Sequence, residues 1–444
     1  MGDQQLTAVG TGLASDEIYG RAAQVLPGGN TRTTIFLRPH PPYATRGEGA
    51  WIWDVDGVRR LDFNNNYTSL IHGHCHPEIV AAIQAQAGRL IAASLPTESE
   101  VGLAEALAGR SSAFERIRFT NSGSEAVMMA VKAARGYTGR SKIAKAEGAY
   151  HGSYDAVEVS LDSGPANWGD GAPNRNPYCV GTPQAVLDNT VVIPFNETAE
   201  SLALLEASAA DLAAIVLDPI PGRIGLIRAT PEYLQMVRDF CDRTGCLLIM
   251  DEVISFRVAH AGAHSLLGVR PDLVTLGKTI GGGLPIGAVA GAQRFMAVFE
   301  ETQGRARVPH GGTFNANPMS MTAGAVAMRL FDEAACERLE RLSILASATL
   351  SEIMGRLGVA GEILREGSLL KISLDSRPKR TYRGSYPGPE QARREEQLFR
   401  ALLRNGILIG RNLTATLSTP MVEADIGYLA DRFEAALSEV LIDA

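Results

Sequence analysis

Between residues 77 and 330 two hydrophobic rhythms alternate along the chain. Short unbroken apolar runs, LAAIVLDPI (212–220) and CLLIMDEV (246–253), are bounded by turn residues, and the stretches between them space apolar residues at helical intervals. Runs this short and continuous predict strands buried on both faces, as in a parallel sheet covered by helices. Strand–helix alternation over that length predicts an α/β class and a single large domain. Ahead of it, PGGNTRTTIF (27–36) reads as turn and extended chain. GAWIWDVDGVRRLDF (49–63) then sets two runs of aromatic and β-branched residues around a Val-Asp-Gly turn, the pattern of a hairpin. After residue 330 the pattern predicts a smaller α+β domain that closes on an amphipathic helix, DIGYLADRFEAALSEVLIDA (425–444). Within it, SRPKRTYRGSYPGPEQARREE (376–396) is polar, basic and rich in Gly and Pro, and reads as a surface loop or mobile segment. The expected organisation is an N-terminal segment with hairpin (1–76), a large domain (77–330) and a small C-terminal domain (331–444).

Composition narrows the classes of function. The 444 residues are 45% hydrophobic and 20% charged, enough for a large buried core. A formal net charge of −7 leaves no basic footprint for nucleic acid and no polybasic patch for a membrane surface. Cys75, Cys179, Cys241, Cys246 and Cys336 are scattered and form no C-x-x-C pair, which argues against a disulfide framework and suits a reducing compartment. The opening MGDQQL lacks a secretory pattern, Leu6 breaks the myristoylation pattern, and no apolar run reaches membrane-spanning length. The expectation is a cytoplasmic protein. HGHCHP offers His72, His74, Cys75 and His76, but no partner cluster follows at zinc-like spacing, so a structural turn is expected and no metal.

Candidate chemistry centres on TLGKTIGGG (275–283). A P-loop needs a glycine five residues before its Gly-Lys-Thr, and the chain has Asp272 there. The chain has only six lysines, against 36 arginines, and the other five sit mostly in polar surroundings. Lys278 has Leu, Val and Ile on both sides. Burial lowers an amine's pKa and frees it for Schiff-base chemistry, although a lysine snorkelling from a strand end reads the same way. Asp251 closes an apolar strand at the edge where α/β sites form, or caps the next element. Ser122-Gly123-Ser124-Glu125 opens an amphipathic helix, where hydroxyls and free amides can grip a phosphate, or serve as a plain helix cap. A phosphate grip, an acid and a reactive lysine on one scaffold are together what pyridoxal 5'-phosphate needs.

RFTNSGSEAVMMAVKAARGYTGR, EGAYHGSYD, DEVISFRVAHAG, PDLVTLGKTIGGGLPIGA and GGTFNANPMSMTAG resemble, in order, segments of the fold-type I, class III pyridoxal-phosphate-dependent aminotransferases. The resemblance runs from about residue 20 to the C-terminus and is greatest to glutamate-1-semialdehyde aminomutases and β-amino acid aminotransferases. It implies a large, mostly parallel sheet domain over 77–330 that binds the cofactor, and a smaller α+β domain from the chain's end segments. It implies that Lys278 carries the cofactor covalently, that Asp251 pairs with the pyridine nitrogen, and that Val253 and Tyr150 cover the two ring faces. Ser122, Gly123 and Ser124 are then expected to hold the phosphate, with the glycines after Lys278 giving backbone room beside the ring. Thr313 is expected to reach the phosphate of the neighbouring subunit, which implies a homodimer with shared active sites.

The implied activity moves an amino group between an amino acid or amine, β or ω favoured, and a keto acid or aldehyde. Arginine reads carboxylates bidentately. Arg32 matches the carboxylate-binding position of the β-amino acid enzymes, and Arg411 lies close to a second such position. TFNAN (313–317) and NNNYTSLIHGH (64–74) depart from the aminomutase pattern, and Asp218 replaces the family's usual glutamate. An aminomutase or another isomerase or racemase stays open as an alternative, as does an inactive binding protein on the same fold.

Overall fold

The computed structural model describes residues 12–302 and 304–442; MGDQQL and the last two residues of the closing amphipathic run lie outside them. Seven strands form the central sheet, in the order Arg116–Thr120, Gly287–Gly291, Leu273–Gly277, Leu247–Asp251, Leu212–Leu217, Lys142–Ala146 and Thr190–Ile193. Four of them, Leu212–Leu217, Leu247–Asp251, Leu273–Gly277 and Gly287–Gly291, are buried at every position. Side chains alternate between the two faces. Ala214, Val216, Leu247 and Ile249 pack under the Gly123–Thr138 helix, whereas Ile215, Leu217, Leu248 and Met250 join the cluster that takes Phe240 from the Pro231–Thr244 helix. This explains the unbroken apolar runs. A strand covered on both sides has no polar face to alternate with.

Gly287–Gly291 is antiparallel to both neighbours, and the other ladders are parallel. Six strands therefore end on one edge, the edge where α/β sheets build their sites. The hairpin pairs Trp51–Asp54 with Arg59–Asp62, and Ala44–Glu48 extends it. Ile407–Leu408 then adds parallel to Arg59–Asp62, so the two ends of the chain share one sheet. A second small antiparallel sheet, of Glu362–Glu366, Leu369–Ser373 and Thr414–Thr416, packs against the Glu333–Arg356 helix. The result is a large α/β sheet layer with a smaller α+β part drawn from both termini. No helix among the described residues is long and apolar enough to cross a membrane.

Two sequence expectations fail here. Residues 376–396 are not simply a loop: Tyr382–Ser385 is a helical turn, and Pro389–Arg404 is a helix with proline in its first turn. Tyr382 is buried and donates to the Ser163 carbonyl at 2.5 Å, and Arg383 Nε meets the buried Glu147 carboxylate at 2.8 Å. Basic composition signals solvated charge only where no buried acid waits for it. Likewise, Lys145 is as buried as any core residue, and its Nζ donates to the Ala146 and Val159 carbonyls, both at 2.9 Å. Burial, partly offset by Glu147, lowers its pKa to about 7. The whole stretch from Ile143 to Ala149 is buried with it, the polar Glu147 included.

The histidine-rich turn is a packing device. His72 stands 4% exposed, with Nε2 facing the Ala327 carbonyl at 2.8 Å and Nδ1 facing the Thr419 hydroxyl at 3.0 Å. The carbonyl can only accept, which puts a proton on Nε2, while the hydroxyl can pair with Nδ1 in either role. Burial lowers the His72 pKa from 6.5 to about 4. A depressed folded-state pKa gives stability that is present above 6.5 and lost as pH falls through about 4. The loss amounts to roughly 3 kcal/mol. His72→Gln, which keeps one donor and one acceptor, is expected to flatten this part of the stability curve in urea titrations at stepped pH. An unchanged slope would rule the residue out as its source.

Candidate active site

The residues flagged from sequence converge at the carboxyl ends of the strands around a cavity of about 350 Å³. Ser122, Gly123 and Ser124, Tyr150, Asp251, Val253 and Lys278 all line it, and so does Arg32. Each arrives by a local rule. The Arg116–Thr120 strand ends and the Gly123–Thr138 helix begins at once, capped by Ser122 Oγ, which accepts from the Glu125 amide at 3.2 Å. The Glu125 carboxylate reaches back to the Asn121 amide at 2.6 Å. The plain cap and the phosphate grip are therefore compatible. Ser122 Oγ and Ser124 Oγ, which takes the Ser153 amide at 3.0 Å, both spend an acceptor on backbone and keep an O–H to donate. Gly123 is obligatory, since a Cβ there would stand 2.8 Å from Val253 Cγ1.

Asp251 is the last residue of its strand and 5% exposed. Its Oδ2 accepts from His151 Nδ1 at 2.8 Å, and its Oδ1 accepts from Thr275 Oγ1 at 2.9 Å and the Val253 amide at 3.2 Å. Burial pushes this carboxyl up, but the bonds from His151, Thr275 and Val253 outweigh it and hold it below the ordinary range. Lys278 follows the Leu273–Gly277 strand in a single turn, at φ 49°, a left-handed conformation that costs a side-chain-bearing residue about 1–2 kcal/mol. Burial lowers its amine pKa against the opposing pull of Asp251 and Asp218.

The glycines after Lys278 serve mainly the fold. A Cβ on Gly282 would meet the Ala323 carbonyl oxygen at 2.6 Å, and one on Gly281 would meet Ile286 at 2.5 Å. They let the Pro318–Leu330 helix approach, and only Gly283 lines the cavity.

His151 is the residue that sequence reasoning passed over. It is fully buried, it orients Asp251, and its Nε2 has no hydrogen-bond partner among the described residues. Its signal was adjacency to Tyr150 in GAYHGSYD. Sequence marked 64–74 as a pocket-lining stretch but gave no sign of its backbone conformation. Asn65, Asn66, Tyr67 and Thr68 stand consecutively at φ 49°, 48°, 55° and 75°. Four left-handed residues in a row persist because Asp62, Asn64 and the buried Arg257 bond their backbone, and Thr416 holds the Asn65 side chain. The turn presents Asn66 and Tyr67 to the cavity. Arg32 Nη1 donates to Asn66 Oδ1 at 3.0 Å, and its guanidinium lies 5.8 Å from the Tyr67 ring centre.

Two sequence candidates lie elsewhere. Arg411 is exposed, outside the cavity lining, and bonded through Nε to Glu396 at 2.8 Å. Thr313 is exposed on the 309–317 segment and does not line this chain's cavity.

These side chains fit pyridoxal phosphate: a hydroxyl-and-amide cradle kept clear by Gly123, an anion poised for a cationic ring nitrogen, and a buried amine. The class-III aminotransferase family model matches residues 37–436. An omega-transaminase from Sphaerobacter thermophilus is 48% identical at a TM-score of 0.94, the match covering 96% of this chain and 98% of that one. A beta-phenylalanine aminotransferase from Variovorax paradoxus is 33% identical at a TM-score of 0.84, over 96% and 94% of the two chains. A curated glutamate-1-semialdehyde 2,1-aminomutase from Methanothermobacter thermautotrophicus (strain Delta H) is 38% identical over 89% of this chain and 92% of its own. With that cavity and these relatives, the chain belongs to the class-III aminotransferases, enzymes of fold type I, and pyridoxal phosphate is its cofactor.

Proposed function

We propose that the protein is an aminotransferase moving an amino group between an amino acid or amine, with β- and ω-amino acids favoured, and a keto acid or aldehyde. What carries this reading is the near-full-length likeness to the omega-transaminase, at 48% identity. Arg32, the only arginine lining the cavity among the described residues, supplies a fork for a substrate carboxylate.

The cofactor supplies an aldehyde that captures the amine and a ring that takes up electrons from the carbon losing its proton. Lys278 would hold it covalently, and its amine would take the proton from the substrate carbon and return it. Asp251 keeps the ring nitrogen protonated, with His151 and Thr275 fixing its two oxygens. Ser122, Gly123 and Ser124 bind the phosphate, while Val253 and Tyr150 flank the ring. Thr313 completes the phosphate site of a second copy, making the working unit a homodimer. Its exposure, and that of Phe314 at 61%, suits a segment covered by a partner.

A donor screen tests the reading. β- and ω-amino acids, α-amino acids and simple amines are each offered with pyruvate or 2-oxoglutarate, and keto product is measured. Turnover is expected with β- or ω-amino donors. The second reading, favoured by the 38% identity to the aminomutase, predicts isomerisation of glutamate 1-semialdehyde with no acceptor present. That result without transamination would overturn the first.

A further inference from the structure

Asp218 is the cavity-lining acid to which the mechanism above gives no work. Leu217 pairs with Met250 on adjoining parallel strands, so Asp218 and Asp251 are the next residues in register. Neighbouring strands lie about 4.8 Å apart, and both side chains face the cavity. Two carboxylates side by side in a buried wall do not both stay ionised. Their partners decide which one holds the proton. Asp251 accepts from His151, Thr275 and the Val253 amide, whereas Asp218 accepts among the described residues only from the Ile220 amide, at 2.9 Å to Oδ1. Burial first, and then the charge on Asp251, raise the Asp218 carboxyl well above its ordinary value, against a weaker pull from Lys278.

We propose that Asp218 stands in the cavity wall as a neutral carboxylic acid and donates its O–H to an oxygen of the molecule held there, while Asp251 keeps the pair's single negative charge. Oδ1 stays anchored on the Ile220 amide, and the protonated Oδ2 faces the cavity. The shorter side chain then matters for position rather than for charge. The inference rests on the site proposed above but not on which reaction runs in it.

Two measurements test it. Infrared difference spectra of wild type against Asp218→Asn at neutral pH, with and without cofactor, are expected to show a protonated carboxyl band only in the wild type. A difference made up of carboxylate bands alone would overturn the proposal, even in protein that binds no pyridoxal phosphate. In the holoenzyme, Asp218→Asn keeps a neutral donor and Asp218→Leu keeps only bulk. Cofactor is expected to leave the leucine variant about tenfold faster than the asparagine variant, the effect of one hydrogen bond. Equal losses, or a greater loss in Asp218→Asn, would show that the site needs a charge there. If the leucine variant fails to fold, the infrared result decides alone.

Discussion

Lys278→Ala is expected to give a folded, cofactor-binding protein whose turnover is at least about 10³-fold below wild type, the scale of a lost proton-transfer group. The substitution removes the covalent link and the amine that moves the substrate proton, and no other lysine among the described residues lines the cavity. Lys145 is also buried with a lowered pKa, but its Nζ is committed to two main-chain carbonyls in the sheet and it does not line the cavity. Folding gives an independent readout. The wild-type amine is held in a wall that disfavours its charge, so truncation relieves a burial cost. The strain at φ 49° remains, because alanine tolerates the left-handed region no better than lysine. The thermal midpoint is therefore expected to match wild type or rise, while the visible absorbance of the lysine-bound cofactor disappears. Turnover within tenfold of wild type in a cofactor-loaded variant would remove Lys278 from the mechanism.

What the sequence showed and what it hid follow from how each feature is encoded. The central sheet was legible because strands covered on both faces carry unbroken apolar runs, and Lys278 and Asp251 because each ends such a run. Features fixed by distant partners were hidden. His151 acquires its role from Asp251, a hundred residues away, and its one local signal was the neighbouring Tyr150. The left-handed turn at 65–68 depends on Arg257 and Thr416, and NNNYT alone reads as ordinary loop. Arg383 looked like solvated charge until Glu147 appeared beneath it. The three glycines after Lys278 suggested room for a ligand, but two of them admit the Pro318–Leu330 helix and Ile286.

Asp251→Asn separates charge from shape at the same site. The amide has nearly the volume of the carboxylate and can still meet Thr275 or the Val253 amide through its oxygen. It cannot carry the charge that keeps a ring nitrogen protonated, and that charge is what makes the cofactor an electron acceptor. His151 Nδ1, now 2.8 Å from a carboxylate oxygen, would face an amide whose NH2 competes with its own N–H. We expect kcat to fall by roughly 10²-fold or more, the scale of a group acting in the transition state. KM for the amino donor should change little, because Asp251 lies at the sheet edge while Arg32 stands out on the turn-facing side, bonded to Asn66. The folded Asp251 carboxyl sits below the ordinary carboxylate range and stays ionised throughout neutral pH. The defect should therefore be flat between about pH 6 and 9, with no recovery at either end. Asp251→Glu keeps the charge but moves it by a methylene, and is expected to retain more turnover than the amide. If Asn and Glu were equally impaired, position rather than charge would govern, and the pairing of Asp251 with the ring nitrogen would have to be given up. A fall in kcat confined to the amide leaves charge as the property the site needs at this position.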